Sequence, residues 1–320
     1  MNKALSVNSL LSINDLNIND LNLIYKTASY FKEIINRPIK KVPTLRDITI
    51  ANLFFENSTR TKLSFELAEK RLSSDIINFS AQYSSLNKGE SLIDTVNNIL
   101  AMKVDIIVLR HPSPGAAFFL SKNINSIIIN AGDGSHEHPT QALLDSFSLM
   151  EKFGDLKNKN IAIVGDILHS RVALSNIYVL KKMGVNIRVC GPKTLIPRNI
   201  ESLGVDISYN LIDTLKWCDA VNMLRVQNER MNLKFFPSNR EYSQMYGLNN
   251  DVMGKLNNEI IILHPGPINR GVEISSEIAD SDQAIILDQV ENGVAIRTVS
   301  YTHLRAHETR EDLVCRLLLE

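Results

Sequence analysis

Apolar residues Leu21, Ile24, Tyr25, Ala28, Phe31 and Ile35 recur at three- and four-residue intervals across Asn19–Ile35, the spacing of a helix with one buried face. Pro38 stops it. Short apolar runs of strand length then alternate with helical periodicities: Ile48–Phe55 followed by Leu63–Leu72, Val104–Leu109, and Ser126–Asn130 followed by Pro139–Phe153. A second series opens at Asn160–Gly165 and continues through the helical stretch Ser170–Met183 to Val185–Cys190, Ala220–Leu224, Ile260–Leu263 and Ala284–Leu287. This alternation predicts an α/β fold of two tandem domains, each a mostly parallel sheet flanked by helices. The polar run Lys152–Lys159 is expected to separate them, giving domains over 1–152 and 153–297. In open parallel sheets ligands collect beyond the carboxyl ends of the strands. The residues after each strand, facing an interdomain cleft, are therefore where chemistry is expected.

Composition narrows the function without naming it. A chain of 320 residues, 44% hydrophobic, can fill two cores. Thirty-five Lys and Arg balance thirty-five Asp and Glu, so no overall field draws the protein to nucleic acid or to an anionic membrane. Three cysteines without C-x-x-C spacing argue against a disulfide framework or a structural zinc. Met1–Ile18 lacks the basic start and unbroken apolar run of a secretion signal, and no window reaches membrane-spanning length. A cytoplasmic location is expected.

The first strand runs into Glu56-Asn57-Ser58-Thr59-Arg60-Thr61 and then a helix, which places three hydroxyls and a guanidinium where free backbone N–H groups favour an anion. Ser58 as a plain helix cap is the ordinary alternative, but a cap needs no arginine between two threonines. Neither a P-loop nor a Gly-x-Gly-x-x-Gly turn is present, which removes support for ATP and NAD, and no cofactor is expected. Other strand exits carry Arg110, Arg171, the pair Arg225 and Gln227, and the loop His264-Pro265-Gly266-Pro267. A Gly-rich turn delivers His138 ahead of Pro139, the expected first residue of the next helix. His136, Glu137 and His138 lack the i, i+4 spacing of paired zinc ligands, so no metal is expected.

Ser58-Thr59-Arg60-Thr61, His138-Pro139-Thr140-Gln141 and the His264–Pro267 loop together resemble the signatures of the aspartate/ornithine carbamoyltransferase family, and the likeness runs along nearly the whole chain. The resemblance implies a carbamoyl phosphate-binding first domain and an amino-acid-binding second one. Ser58, Thr59, Arg60 and Thr61 would hold the phosphate. Arg60, Thr61, Arg110 and His138 would be catalytic, with Gln141, Pro265 and Gly266 on the carbamoyl group. Ser84–Glu90 resembles a loop lent to a neighbouring subunit, so Ser85 and Lys88 would act in trans. Lys88, Arg171, Arg225 and Gln227 would bind the amino acid. Ornithine members carry a cysteine after the loop histidine, where this chain has Pro265, which points to the aspartate branch.

The implied reaction moves the carbamoyl group of carbamoyl phosphate to the α-amine of L-aspartate, giving N-carbamoyl-L-aspartate and phosphate, an early step of pyrimidine biosynthesis. The leaving phosphate is a candidate proton acceptor, since no side chain stands out as a base. A homotrimer with shared active sites is implied, to which a regulatory chain or a larger assembly could be added. Another amino acid such as ornithine, or a non-catalytic module that holds a phosphorylated metabolite, are the alternatives. After Arg297 the polar, weakly periodic Thr298–His307 departs from the apolar closing helix of the family. Residues 298–320 are therefore expected to form an atypical tail, with a short amphipathic helix from Glu311 carrying Leu313, Val314, Leu317 and Leu318.

Overall fold

A computed structural model describes residues 4–80, 89–227 and 238–305. The chain divides into two compact units, one running to Thr140 and resuming at Val290, the other spanning Gln141–Gln289. In the first lie α1 (Ile18–Ile35), β1 (Thr49–Phe54), α2 (Thr59–Arg71), β2 (Asp75–Ser80), α3 (Leu92–Ala101), β3 (Ile106–His111), α4 (Ala116–Asn123) and β4 (Ile127–Asp133). Helix α5 (Pro139–Phe153) leads into β5 (Asn160–Val164), α6 (Arg171–Lys182), β6 (Asn186–Cys190), β7 (Asp206–Ser208), α7 (Leu211–Trp217) and β8 (Ala220–Met223). Then come α8 (Asn239–Tyr246), α9 (Asn250–Met253), β9 (Ile261–Leu263), α10 (Ser276–Ala279) and α11 (Ile286–Arg305). Among the described residues no helix is long and apolar enough to cross a membrane.

The strand order is β2-β1-β3-β4 in one sheet and β7-β6-β5-β8-β9 in the other, and every pairing is parallel. Ile106–Leu109 and Ile161–Val164 are buried without interruption, as expected where helices cover both faces of a parallel sheet. β2 and β7, absent from the expected series, are edge strands. Asp75, Asn78 and Ser80 break the apolar run of the first, and three residues are too few to register in the second. Ala284–Leu287 is not a strand. Ala284 makes a single bridge to Ile262, and Ile286 already begins α11, with Leu287 left exposed. Four apolar residues cannot separate a buried strand from a helix start.

Gln141, in the first turn of α5, groups with the second unit. Asp145 of α5 is bonded within that unit, its carboxylate accepting from Asn176 of α6 and Asn222 of β8. The closing helix is also present: α11 continues through Thr298 to Arg305, with Val299, Tyr301 and Leu304 buried. Its hydroxyls and His303 find partners. The hydroxyls of Thr298, Ser300 and Thr302 donate to Val294, Ile296 and Val299 carbonyls, Tyr301 donates to Glu69, and His303 meets Thr27. A helix buried all round shows no one-faced period, which is why the sequence pattern concealed it. Residues 306–320, including the expected helix from Glu311, lie outside the described residues.

Helix α11 is fixed to the first unit by a polar cluster. Arg297 donates to Ser64 at 2.7 Å and stacks on Phe65, while Tyr301 Oη and Asn52 Nδ2 donate to the buried Glu69 carboxylate at 2.5 and 2.9 Å. Burial pushes the Glu69 pKa up to about 7 against the pull of those two hydrogen bonds. The folded state therefore holds this proton more tightly than the unfolded chain. Its contribution to stability is complete below the ordinary glutamate pKa and is lost as pH rises through about 7, a change of about 3 kcal/mol at most. Glu69→Gln should remove that loss, so melting temperatures of variant and parent measured from pH 5 to pH 8 should diverge in the variant's favour as pH rises. Parallel curves would contradict it.

Candidate functional site

The carboxyl ends of β1, β3 and β4 lie side by side, because Phe54 is in register with Arg110 and His111 with Asp133. Ser58 sits at the N-cap of α2, yet its hydroxyl makes no capping bond, whereas Ser91, Ser170, Ser238 and Ser275 cap their helices through their side chains. The plain capping alternative is thus not realised. Thr59, Arg60 and Thr61 follow in the first helical turn, with Arg60 exposed. Arg110 is half-buried at the next exit. Its Nη1 donates to the Ala131 carbonyl at 3.1 Å, and its Nε lies 3.5 Å from Glu56, so this guanidinium spans from the β1 exit to the β4 exit.

The turn from β4 to α5 is built on Asp133. Its carboxylate accepts from Gly115 N–H at 2.6 Å, Asn130 Nδ2 at 2.9 Å and Glu137 N–H at 3.1 Å, and lies 3.1 Å from His136 Nδ1. Burial opposes ionisation there, but the bonds from His136, Asn130 and Gly115 outweigh it and hold the Asp133 pKa below the ordinary range; the same contact raises that of His136. Glu137 turns away to accept from Ser12 Oγ and from Ile13 N–H. His138 follows, buried, directly before Pro139. Ser58–Thr61, Arg110 and His138 therefore sit on strand exits along one edge of the first sheet.

In the second unit, β5 is followed by Gly165, whose φ of +127° suits glycine and where a Cβ would meet Tyr242 Oη at 2.9 Å and Leu224 O at 3.1 Å. This tight passage leads to Asp166, which accepts from His169 N–H at 3.1 Å and from the backbone N–H of Gln227. Burial pushes the Asp166 pKa up, and His169 and Gln227 pull against it. Arg171, buried, opens α6. Beyond β8, Val226 enters the core while its neighbours Arg225 and Gln227 stay half-buried, the alternation of an extended segment. The Val226 carbonyl accepts from Asn269 Nδ2 at 3.3 Å, which sets the His264–Gly271 loop beside Arg225 and Gln227. Gly266, with φ +62°, precedes a cis bond to Pro267. Arg171, Arg225, Gln227, Pro265 and Gly266 are thus carried on successive exits of the second sheet, and Gln141 is tied to that unit by its bond to Asp145.

Ser85 and Lys88 lie outside the described residues. Asp133, Asp145, Asp166 and Glu273, the carboxylates that hold these exits in shape, are not among the candidate residues picked out in the sequence. Their signal was available: Asp145 interrupts the apolar run Ala142-Leu143-Leu144 of α5, and Asn222 interrupts Ala220-Val221 of β8. A polar residue in an apolar run is a buried group that needs partners.

Comparison with known proteins identifies the family. Residues 8–151 match the model for the aspartate/ornithine carbamoyltransferase, carbamoyl-P binding domain, and residues 157–299 that for the Asp/Orn binding domain. The chain belongs to the aspartate/ornithine carbamoyltransferase family. The aspartate carbamoyltransferase catalytic subunit of Flavobacterium johnsoniae is 70% identical over 295 residues, covering 92% of this chain and 96% of that one. That of Halothermothrix orenii is 48% identical, covering 97% and 99%. Among solved structures, aspartate transcarbamoylase from Trypanosoma cruzi in complex with carbamoyl phosphate and aspartate superposes with a TM-score of 0.83 at 28% identity, covering 92% and 96%. The catalytic subunit of M. jannaschii aspartate transcarbamoylase gives 0.81 at 34%, covering 95% and 100%.

Gly165→Ala forces a side chain into the left-handed region against Leu224 and Tyr242. It should lower the unfolding free energy by about 2 kcal/mol in urea titrations, the scale of a strained backbone position. An unchanged midpoint would contradict this account of the β5 exit.

Proposed function

We propose that the chain catalyses transfer of the carbamoyl group of carbamoyl phosphate to the α-amine of L-aspartate, yielding N-carbamoyl-L-aspartate and phosphate. The observation that carries this reading is the set of anion-binding groups on adjacent strand exits, Ser58–Thr61 with Arg110, in a chain 70% identical to an aspartate carbamoyltransferase catalytic subunit. The amine nitrogen forms a bond to the carbonyl carbon, the bond from that carbon to the phosphate oxygen breaks, and the leaving phosphate takes the amine's proton. No covalent enzyme intermediate is needed.

Ser58, Thr59, Arg60 and Thr61 hold the phosphate in this scheme. Thr61, Arg110 and His138 stabilise negative charge that grows on the carbonyl oxygen, a role in which each donor is worth about 3 kcal/mol of barrier. Gln141, Pro265 and Gly266 receive the carbamoyl amino group. Arg171, Arg225 and Gln227 clamp the two carboxylates of aspartate, a match that ornithine, with one carboxylate and an extra ammonium, does not offer. Ser85 and Lys88 complete the site from a neighbouring copy in a homotrimer. The name "catalytic subunit" borne by the relatives supports a multi-subunit assembly, open to a regulatory chain. A balanced charge and unpaired cysteine count support a cytoplasmic setting.

Arg60 is exposed at the start of α2, so Arg60→Ala should leave the fold intact while lowering kcat at saturating substrates at least a hundredfold. Loss of only a few fold would remove the phosphate assignment. In the same assay, ureido product should form with aspartate and not with ornithine; the reverse would overturn the choice of acceptor.

A further inference from the structure

A glutamine amide can turn either its oxygen or its nitrogen outward, and an oxygen is what a carbamoyl amino group requires. The structure shows what decides between them. Gln141 Nε2 donates to Asp145 Oδ1 at 2.9 Å, and Gln289 Nε2 donates to the same oxygen at 2.7 Å. Asn176 Nδ2 and Asn222 Nδ2 reach Oδ2 at 2.8 and 3.3 Å. Asp145 is fully buried, and these four partners are amides, with no cation among them. With two amide nitrogens on each oxygen, the carboxyl group serves all four partners as an acceptor, and each amide turns its NH₂ inward. Because the amide is planar, the oxygen of each then points away from Asp145.

That polarity continues through Gln289. Its Oε1 accepts the His264 N–H at 2.9 Å. His264 Nδ1 accepts the Gly266 N–H at 2.8 Å, which leaves the ring proton on Nε2, 3.1 Å from Glu273 Oε1. Glu273 also accepts the Asn269 N–H at 2.6 Å. The N–H groups at 264, 266 and 269 are thus all taken up within the loop and its supports, and Pro265 and Pro267 have none to offer.

We propose that Asp145 is a positioning residue for donor-substrate specificity: by accepting from Gln141 and Gln289 together, it commits both Gln141 Oε1 and the His264–Pro267 loop to face the ligand as hydrogen-bond acceptors. The inference rests on the reading that Gln141 meets the carbamoyl group. Such a wall selects an acyl phosphate bearing NH₂ over one bearing CH₃ in the same place, because a methyl leaves the acceptors without a donor.

The test compares dissociation constants for carbamoyl phosphate, acetyl phosphate and inorganic phosphate in the full-length protein. Asp145→Asn introduces an NH₂ that can donate to Gln141 Oε1 and turn that amide round. It should lower the preference for carbamoyl over acetyl phosphate at least tenfold, with inorganic phosphate affinity held within twofold. In a Gln141→Met background the same change should move the preference by less than twofold. A merely structural role would weaken all three ligands together and leave the preference intact, which overturns the proposal. If Gln141→Met alone leaves the preference unchanged, the reading of Gln141 fails, an outcome distinct from failure of Asp145→Asn alone. Neutron diffraction of the unsubstituted protein covers the case in which Asp145→Asn does not fold. Deuterons on the Gln141 atom facing Asp145 are expected, and an oxygen there would overturn the proposal.

Discussion

Parallel pairing of every strand is the constraint on which the site depends. A parallel neighbour requires a crossover, so each strand must leave the sheet at its carboxyl end through a loop, and all these loops emerge at the same edge. Residues far apart in sequence, Ser58, Arg110 and His138 in one unit, Arg171, Arg225 and Pro265 in the other, therefore occupy equivalent positions on their own sheets. The candidate site residues are local features of loops. Their grouping is a property of the sheet.

What keeps each loop in shape is a buried carboxylate that gathers N–H donors. Asp133 gathers the β4 exit, Asp166 joins the β5 and β8 exits, Asp145 collects four amides, and Glu273 closes the His264 loop. Isolated burial of such a charge would be prohibitive, so each is met by several N–H donors. Side chains serving as acceptors for backbone and amide donors define direction as well as position, which is what recognition of a small polar acyl group demands.

Much of this was legible in the sequence. Alternating apolar runs gave most of the strands and both sheets, and hydroxyl, arginine and histidine motifs stood out because each follows a strand. Two features were not legible, for physical reasons. The edge strands β2 and β7 are polar or short. The end of α11 is buried on every side and meets its polar groups internally, so the periodicity that marks a surface helix is absent.

The central claim is that one set of strand exits holds an acyl phosphate and another a dicarboxylate. A crystal structure with N-(phosphonacetyl)-L-aspartic acid, the compound bound in a related Trypanosoma cruzi structure, tests it most directly. The account predicts phosphonate oxygens within hydrogen-bond distance of Ser58–Thr61 and Arg110, and carboxylates on Arg171, Arg225 and Gln227. A phosphonate seated away from the start of α2 would contradict it.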